Sequence, residues 1–270
     1  MEPLLTVENA AFSYAQHPVF RGLSFSVSAG EVLCILGANG CGKTTLLRCL
    51  HGALPLREGR VLLGQQDVAG MSPTAVARTV GIVFQEHTAP FPFLVREIVS
   101  MGRAPHLSFL GMPSAHDRQV ALESMELMGV AHLQSRPYTE ISGGERQMVL
   151  IARCLAQQPK ILLFDEPTSH LDYRNQVRLL GMLQQLARRG LAIVLTTHYP
   201  DHALMYPTQV ALMNGGRFIA MGAAEVVING PNLKATYGID IRVLSVSDGP
   251  RKYTFCAPEL DDTQAPWAPV

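Results

Sequence analysis

The sequence predicts an α/β fold: a core of mostly parallel sheet with flanking helices, preceded by an N-terminal antiparallel β subdomain and interrupted by an inserted α-helical subdomain. Three observations carry this. Val32-Leu33-Cys34-Ile35-Leu36, Ile161-Leu162-Leu163-Phe164 and Ile193-Val194-Leu195 are unbroken apolar runs, as in strands buried on both faces. Leu23-Ser24-Phe25-Ser26-Val27 instead alternates, as in a strand with one wet face. The stretch from about Glu86 to Gln158 holds few strand-like runs and two helical ones.

Taken in chain order, the alternating start and the turn Ser28-Ala29-Gly30 give short antiparallel strands. The first buried run leads through a glycine-rich loop into a helical run, Thr45 to Leu50, and Gly81-Ile82-Val83-Phe84 is a further strand run. Helices follow over Leu94 to Gly102 and over Ala115 to Met128, the second behind the N-cap candidate Ser114. Between the last two buried runs, Val177, Leu180, Leu183 and Leu186 fall at helical spacing and Arg188-Arg189-Gly190 closes the helix, so this is a βαβ unit. Ile241 to Val246 and Lys252 to Phe255 form a hairpin around Asp248-Gly249, ahead of a flexible Pro-bearing tail with no catalytic signal. The expected division is 1–87 and 159–237 for the core, 88–158 for the helical subdomain and 238–270 for a C-terminal extension.

Composition sets limits on partners. The 270 residues are 47% hydrophobic, enough for a full core, and Lys plus Arg balances Asp plus Glu at 22 each. With no concentrated basic stretch, nucleic acid is not an expected partner. The N-terminus lacks the charge and apolar run of a signal peptide, and no segment approaches the roughly 20 apolar residues of a membrane-spanning helix, so a cytosolic chain is expected. Five scattered cysteines without metal-ligand spacing fit a reducing compartment.

Gly37-Ala38-Asn39-Gly40-Cys41-Gly42-Lys43-Thr44 matches G-x-x-x-x-G-K-[ST], between a buried strand and a helix. Glycines let the backbone N–H groups curl inward toward phosphate oxygens, and the helix N-terminus adds partial positive charge. Lys43 then reaches the β- and γ-phosphates of a nucleoside triphosphate, and the Thr44 hydroxyl binds Mg²⁺. Cys41 occupies a variable position of this P-loop. Asp165-Glu166 ends an apolar strand, where open α/β sheets place their ligands. Adjacent side chains leaving a strand point different ways, so Asp165 is assigned to Mg²⁺ and Glu166 to the attacking water. His198 and His202 stand four apart, but Pro200 between them and the lack of a third nearby ligand argue against zinc.

Ile141-Ser142-Gly143-Gly144-Glu145-Arg146-Gln147 opens another helix with a serine and two glycines, giving a second anion-seeking helix terminus. Here the sequence resembles the ABC ATPase family, whose signature reads L-S-G-G-Q/E, with Ile141 in place of the usual leucine. The resemblance runs from Leu5 to about Gly238. It implies ATP hydrolysis by a head-to-tail homodimer, in which Ser142, Gly143, Gly144, Glu145 and Asp172 of one copy complete the ATP site of the other. Tyr14 falls at the place of the aromatic that stacks on adenine, and Gln85 at the glutamine that contacts Mg²⁺ and water. Ser169-His170-Leu171-Asp172 matches the dimer-crossing loop, and His198 the γ-phosphate-sensing histidine. The implied catalytic set is Glu166, His198, Lys43 and Gln85, with ATP held by residues 37–45, Thr45 included, and Mg²⁺ by Thr44, Gln85 and Asp165.

Val95 to His106 and Pro167 to Asp172 look most like the ATPases for iron–siderophore, haem and cobalamin uptake. That likeness implies integral membrane permease subunits as partners, indirectly an extracytoplasmic substrate-binding protein, and a place on the cytoplasmic face of the inner (plasma) membrane. Phe91 and Phe93, just past Gln85, stand where such ATPases receive the permease. The alternative is a soluble ABC ATPase, such as one acting in iron–sulfur cluster assembly. Repair types carry a long coiled-coil insertion and translation types two cassettes, and neither pattern is present.

Overall fold

The structure, a computed structural model, describes residues 2–84, 91–108, 111–169 and 171–259. The chain starts with two long antiparallel strands, β1 (Leu5–Tyr14) and β2 (His17–Val27). β3 (Val32–Leu36) runs through the glycine-rich loop into α1 (Lys43–Leu50). β4 (Glu58–Leu63) pairs with β1, and β5 (Gln66–Asp67) pairs with β4. α2 (Pro73–Thr79), capped by the Ser72 hydroxyl on the Ala75 N–H, feeds β6 (Val80–Val83). Three helices follow: α3 (Val95–Ser100), α4 (Ala115–Leu127) and α5 (Gly143–Ala156). β7 (Ile161–Phe164), α6 (Tyr173–Arg188) and β8 (Ala192–Thr197) form the βαβ unit. α7 (Pro200–Met205), β9 (Gln209–Asn214), β10 (Arg217–Gly222), α8 (Ala224–Val227) and α9 (Gly230–Tyr237) then lead to the hairpin β11 (Ile241–Asp248) and β12 (Arg251–Pro258).

Among the described residues the strands form a four-stranded sheet, β2-β1-β4-β5, a six-stranded sheet, β10-β9-β3-β8-β7-β6, and the two-stranded hairpin. In the six-stranded sheet all neighbours are parallel except the edge strand β10. The unbroken apolar runs have their physical reason in two cores. Val32, Cys34, Leu36, Leu162, Phe164, Ile193 and Leu195 face a core shared with α3 to α6. Leu33, Ile35, Ile161, Leu163, Ala192 and Val194 face the other, shared with α1 and the antiparallel sheet. Each such side chain removed from water contributes about 1.5–3 kcal/mol. The paired registers therefore hold the carboxyl ends of β3, β7 and β8 side by side.

The α3–α5 segment is fastened by Arg103, which is buried. Its guanidinium donates to Asp117 Oδ1 at 3.0 Å, to the Ala156 carbonyl at 2.7 Å and to Gln158 Oε1 at 2.9 Å. Asp117 in turn closes a capping box with Ser114 at the start of α4. The predicted helix from Leu94 to Gly102 is cut short: α3 stops at Ser100 and a 3-10 turn covers Met101–His106. Gly102 lies so close to the Arg153 carbonyl that a Cβ would overlap it, and Pro105 has no N–H to continue a helix. Pro200 does not break a helix, as its sequence context suggested, but begins α7 at its first turn, where the missing N–H costs nothing. His202 lies inside α7 and His198 before it. Residues 260–270, where a flexible tail was expected, lie outside the described residues.

The Ser114 hydroxyl and N–H, and then Arg103, hold the Asp117 carboxyl well below the usual carboxylate range. A depressed folded-state value contributes stability above the unfolded value of about 4, and that stability is lost as pH falls below it. Thermal melts of the wild type should lose stability more steeply than those of Asp117→Asn as pH falls from about 4 toward 2.

Candidate active site

The glycine-rich loop joins the end of β3 to α1, and its glycines are required by shape. Gly40 and Gly42 have φ of 79° and 107°, in the left-handed region, and a Cβ on Gly42 would sit 2.9 Å from Val19 Cγ1. The curl turns the Gly37 and Ala38 carbonyls onto the Lys43 ammonium, at 2.8 and 3.2 Å. Lys43 is only 5% exposed, and its third partner is Glu166 Oε1 at 3.2 Å. Lys43 opens on a cleft of about 500 Å³ lined by Tyr14, Val19, Asn39, Gly40, Gly42, Thr44, Thr45, Glu166 and His198. Tyr14, the last residue of β1, is exposed and set edge-on against Phe12. The Cys41 thiol is half-buried beside the loop, and burial pushes it above its ordinary range, with Lys43 partly opposing. A thiol so raised is a poor nucleophile.

Asp165 and Glu166 leave β7 with separate surroundings. Asp165 is buried, and its Oδ1 accepts from the Thr196 hydroxyl at 2.9 Å. Thr196 Oγ1 also accepts the Glu166 N–H at 3.0 Å, so one hydroxyl of β8 fastens both acidic residues. Glu166 has a φ of 46°, a left-handed conformation unusual for a residue with a side chain. Its carbonyl accepts from the Ser169 hydroxyl at 2.7 Å. Its carboxylate bridges Lys43 and His198, whose Nδ1 lies 2.8 Å from Glu166 Oε2. A carboxylate only accepts, so Nδ1 carries the proton. His202 points elsewhere, its Nδ1 lying 3.2 Å from the Thr168 hydroxyl oxygen.

The second helix terminus is built differently. Ser142 caps α5 and accepts the Glu145 N–H, while Glu145 Oε2 accepts from the Ser142 N–H at 2.8 Å and hydroxyl at 2.7 Å. These bonds hold the Glu145 carboxyl below its ordinary range. Glu145 is thus a cap, and Ser142 and Gly143 remain exposed at the tip. Asp172 caps α6 by accepting the Asn175 N–H at 2.8 Å. The two tips adjoin, since a Cβ on Gly144 would lie 3.0 Å from Asn175 Nδ2. Among the described residues, 142–145 and 172 do not line the Lys43 cleft of their own chain. Gln85 and His170 lie outside the described residues.

Lys43, Thr44, Glu166 and His198 therefore come together, with Asp165 behind them. Three contributors escaped sequence reasoning. Val19 lines the cleft, Thr196 fixes the acidic pair, and the Tyr237 hydroxyl donates to the His198 carbonyl at 3.0 Å. Only Thr196 had a legible hint, a polar residue near the end of a buried strand, two positions before His198. Chemically, a buried cation and a helix N-terminus attract an anion, and a carboxylate and an imidazole stand beside it to handle a proton.

Residues 20–169 match the sequence family described as ABC transporter. The chain is 36% identical to the molybdate import ATP-binding protein MolC of Haemophilus influenzae over 239 residues, covering 88% of this chain and 89% of that protein. It is 36% identical to the hemin import ATP-binding protein HmuV of Hahella chejuensis over 236 residues, covering 85% and 90%. A solved structure described as an inward-facing conformation of a metal-chelate type ABC transporter superposes with a TM-score of 0.86 at 33% identity, covering 96% of this chain and 98% of that one.

Thr196→Val keeps the β-branched shape that β8 needs but strands Asp165 Oδ1 and the Glu166 N–H. Urea unfolding should show a loss of about 1–3 kcal/mol at unchanged denaturant slope.

Proposed function

The chain belongs to the ABC transporter family, and we propose that it is the ATP-hydrolysing subunit of an importer for a metal chelate, such as an iron–siderophore or haem, or for a cobalamin-like substrate. The observation that carries this reading is Glu166 bridging Lys43 and His198 at the mouth of a phosphate-binding loop. The loop N–H groups and Lys43 hold the phosphates, and Tyr14 and Val19 offer a face to the base. A γ-phosphate reaching Lys43 competes with Glu166 for the ammonium, which releases the carboxylate toward water. Water then attacks phosphorus as its proton passes toward Glu166, and the bond to the β-phosphate oxygen breaks to give ADP and phosphate. His198 orients Glu166 and approaches the γ-phosphate.

Thr44 and Asp165 supply the hard oxygen donors that suit Mg²⁺, with Gln85 assigned alongside them; bound there, the ion neutralises phosphate charge. Ser142, Gly143, Gly144 and Asp172 serve a second copy. The exposure of Ser142, Gly143 and Asp172, and the absence of all four from the cleft of their own chain, support a head-to-tail homodimer with two composite sites. Glu145 joins them as the cap that holds the tip in shape. The helical segment 88–158 acts as a unit that carries this tip, between the core of 1–87 and 159–237.

Among the described residues no helix is long and apolar enough to cross a membrane, so the pathway is assigned to separate permease subunits. Phe91 is 63% exposed and Phe93 lies beside it, with ring centroids 6.1 Å apart. The Phe93 carbonyl accepts the Tyr138 N–H at 2.8 Å, which fastens this apolar platform to the helical segment. Such a platform suits a permease helix and supports a location on the cytoplasmic face of the inner membrane, with a substrate-binding protein on the far side as part of the same reading. That HmuV and MolC are import subunits favours this over cluster assembly.

Glu166→Gln should lower ATP turnover by about 100-fold or more while ATP still drives dimerisation in size-exclusion chromatography. Lys43→Ala should lose turnover and weaken nucleotide binding. Tagged chain recovered from membranes should carry a permease with it. Near-normal turnover in Glu166→Gln would remove the base assignment, and recovery only in soluble complexes would favour the cluster-assembly alternative.

A further inference from the structure

We propose that the C-terminal elements clamp the segment carrying His198, and that Tyr237 is a positioning residue for ATP hydrolysis. This rests on the ATPase reading above and goes beyond it by giving α9 and the β11–β12 hairpin a role in the reaction.

The segment from Thr197 to Asp201 is short and lies between two fixed points, the end of β8 and the first turn of α7. At its start the Thr197 carbonyl accepts the N–H of Gly37, the first residue of the phosphate loop, at 3.3 Å. The Thr197 hydroxyl accepts the Tyr199 N–H at 3.1 Å. The second of these bonds holds the N–H side of the peptide plane that follows His198. Its carbonyl side is held by the Tyr237 hydroxyl, which donates to the His198 carbonyl at 3.0 Å from 39 residues further along the chain. In the first turn of α7, Asp201 Oδ1 accepts the Cys256 N–H of β12 at 2.8 Å. The segment beyond His198 is therefore held at its start by Tyr237, the last residue of α9, and at Asp201 by the C-terminal hairpin.

The clamp is itself anchored. The Asn214 side chain at the end of β9 donates to the Ala235 carbonyl of α9 at 2.6 Å. Tyr237, Ile241, Val243 and Cys256 pack against the buried core that includes β8 and α7. Gly238 ends α9 in a left-handed conformation with φ of 76°, which turns the chain directly into the hairpin. The Tyr237 ring is thus fixed by packing, and its hydroxyl is delivered to one carbonyl. A shift of that carbonyl rotates the peptide and moves the imidazole, whose Nδ1 stands 2.8 Å from Glu166. Proton transfer depends on such distances, so loss of the clamp acts on the chemical step rather than on nucleotide binding.

The test is steady-state ATP hydrolysis by the full-length chain, comparing wild type, Tyr237→Phe, Asp201→Asn, Asp201→Ala and Glu166→Gln. Tyr237→Phe keeps the packed ring and removes one hydroxyl, so kcat should fall about threefold to tenfold, as expected for one hydrogen bond, with KM for ATP and the melting temperature near wild type. Asp201→Asn retains an acceptor oxygen and should keep kcat, whereas Asp201→Ala should lower it. Unchanged kcat in Tyr237→Phe overturns the positioning role. A fall in kcat matched by a rise in KM and a loss of melting temperature also overturns it, because a merely structural contact gives that pattern. Wild-type turnover that Glu166→Gln leaves intact overturns the base assignment instead, and the clamp with it.

Discussion

A buried ammonium is costly unless each of its protons finds an acceptor, and this constraint on Lys43 organises the site. Its partners are the Gly37 and Ala38 carbonyls and the Glu166 carboxylate. To turn two successive carbonyls inward the loop must curl, which needs glycine at the left-handed positions that follow. To reach the same ammonium from β7, Glu166 must take a left-handed φ of 46°, a strain of order 1–3 kcal/mol. The Thr196 hydroxyl on its N–H and the Ser169 hydroxyl on its carbonyl hold it there. The strained residue is also the one whose carboxylate joins Lys43 to His198.

A second buried cation plays the corresponding part in the helical segment. Arg103 gathers Asp117 of α4, the Ala156 carbonyl at the end of α5 and Gln158 just beyond it. It therefore joins the start of α4 to the point where the chain returns to the sheet at β7. At its other end α5 presents Ser142 and Gly143 to solvent. The helix is thus fixed at its C-terminal end, while its capped N-terminal tip adjoins the start of α6. The exposed pair Phe91 and Phe93 lies on the same segment, held through Tyr138. The exposed helix tip and the exposed aromatic pair thus belong to one segment of the chain.

Much of this was legible in the residues. The double-faced burial of β3, β7 and β8 follows from unbroken apolar runs, and the starts of α4 and α5 from the serines that precede them. The C-terminal hairpin follows from two strand-like runs around Asp248-Gly249. These signals survive because each is a hydrogen bond or a periodicity spanning a few residues. The early end of α3 and the start of α7 at Pro200 were misjudged from the sequence, since a glycine's tertiary neighbour and a proline's place in a turn are not local properties.

The sequence by itself determined the phosphate loop, the acidic strand end, the second helix tip and the family to which they belong. Only the tertiary structure decided that Glu166 joins Lys43 to His198, that Thr196 fastens both acids, and that Tyr237 and Cys256 reach back to the His198 segment. The reason is separation along the chain. Thr196 lies 31 residues from Asp165, Tyr237 lies 39 from His198 and Cys256 lies 55 from Asp201. No local pattern specifies such pairs; they arise when parallel register aligns the carboxyl ends of β3, β7 and β8 and the C-terminal elements pack over the edge of that array.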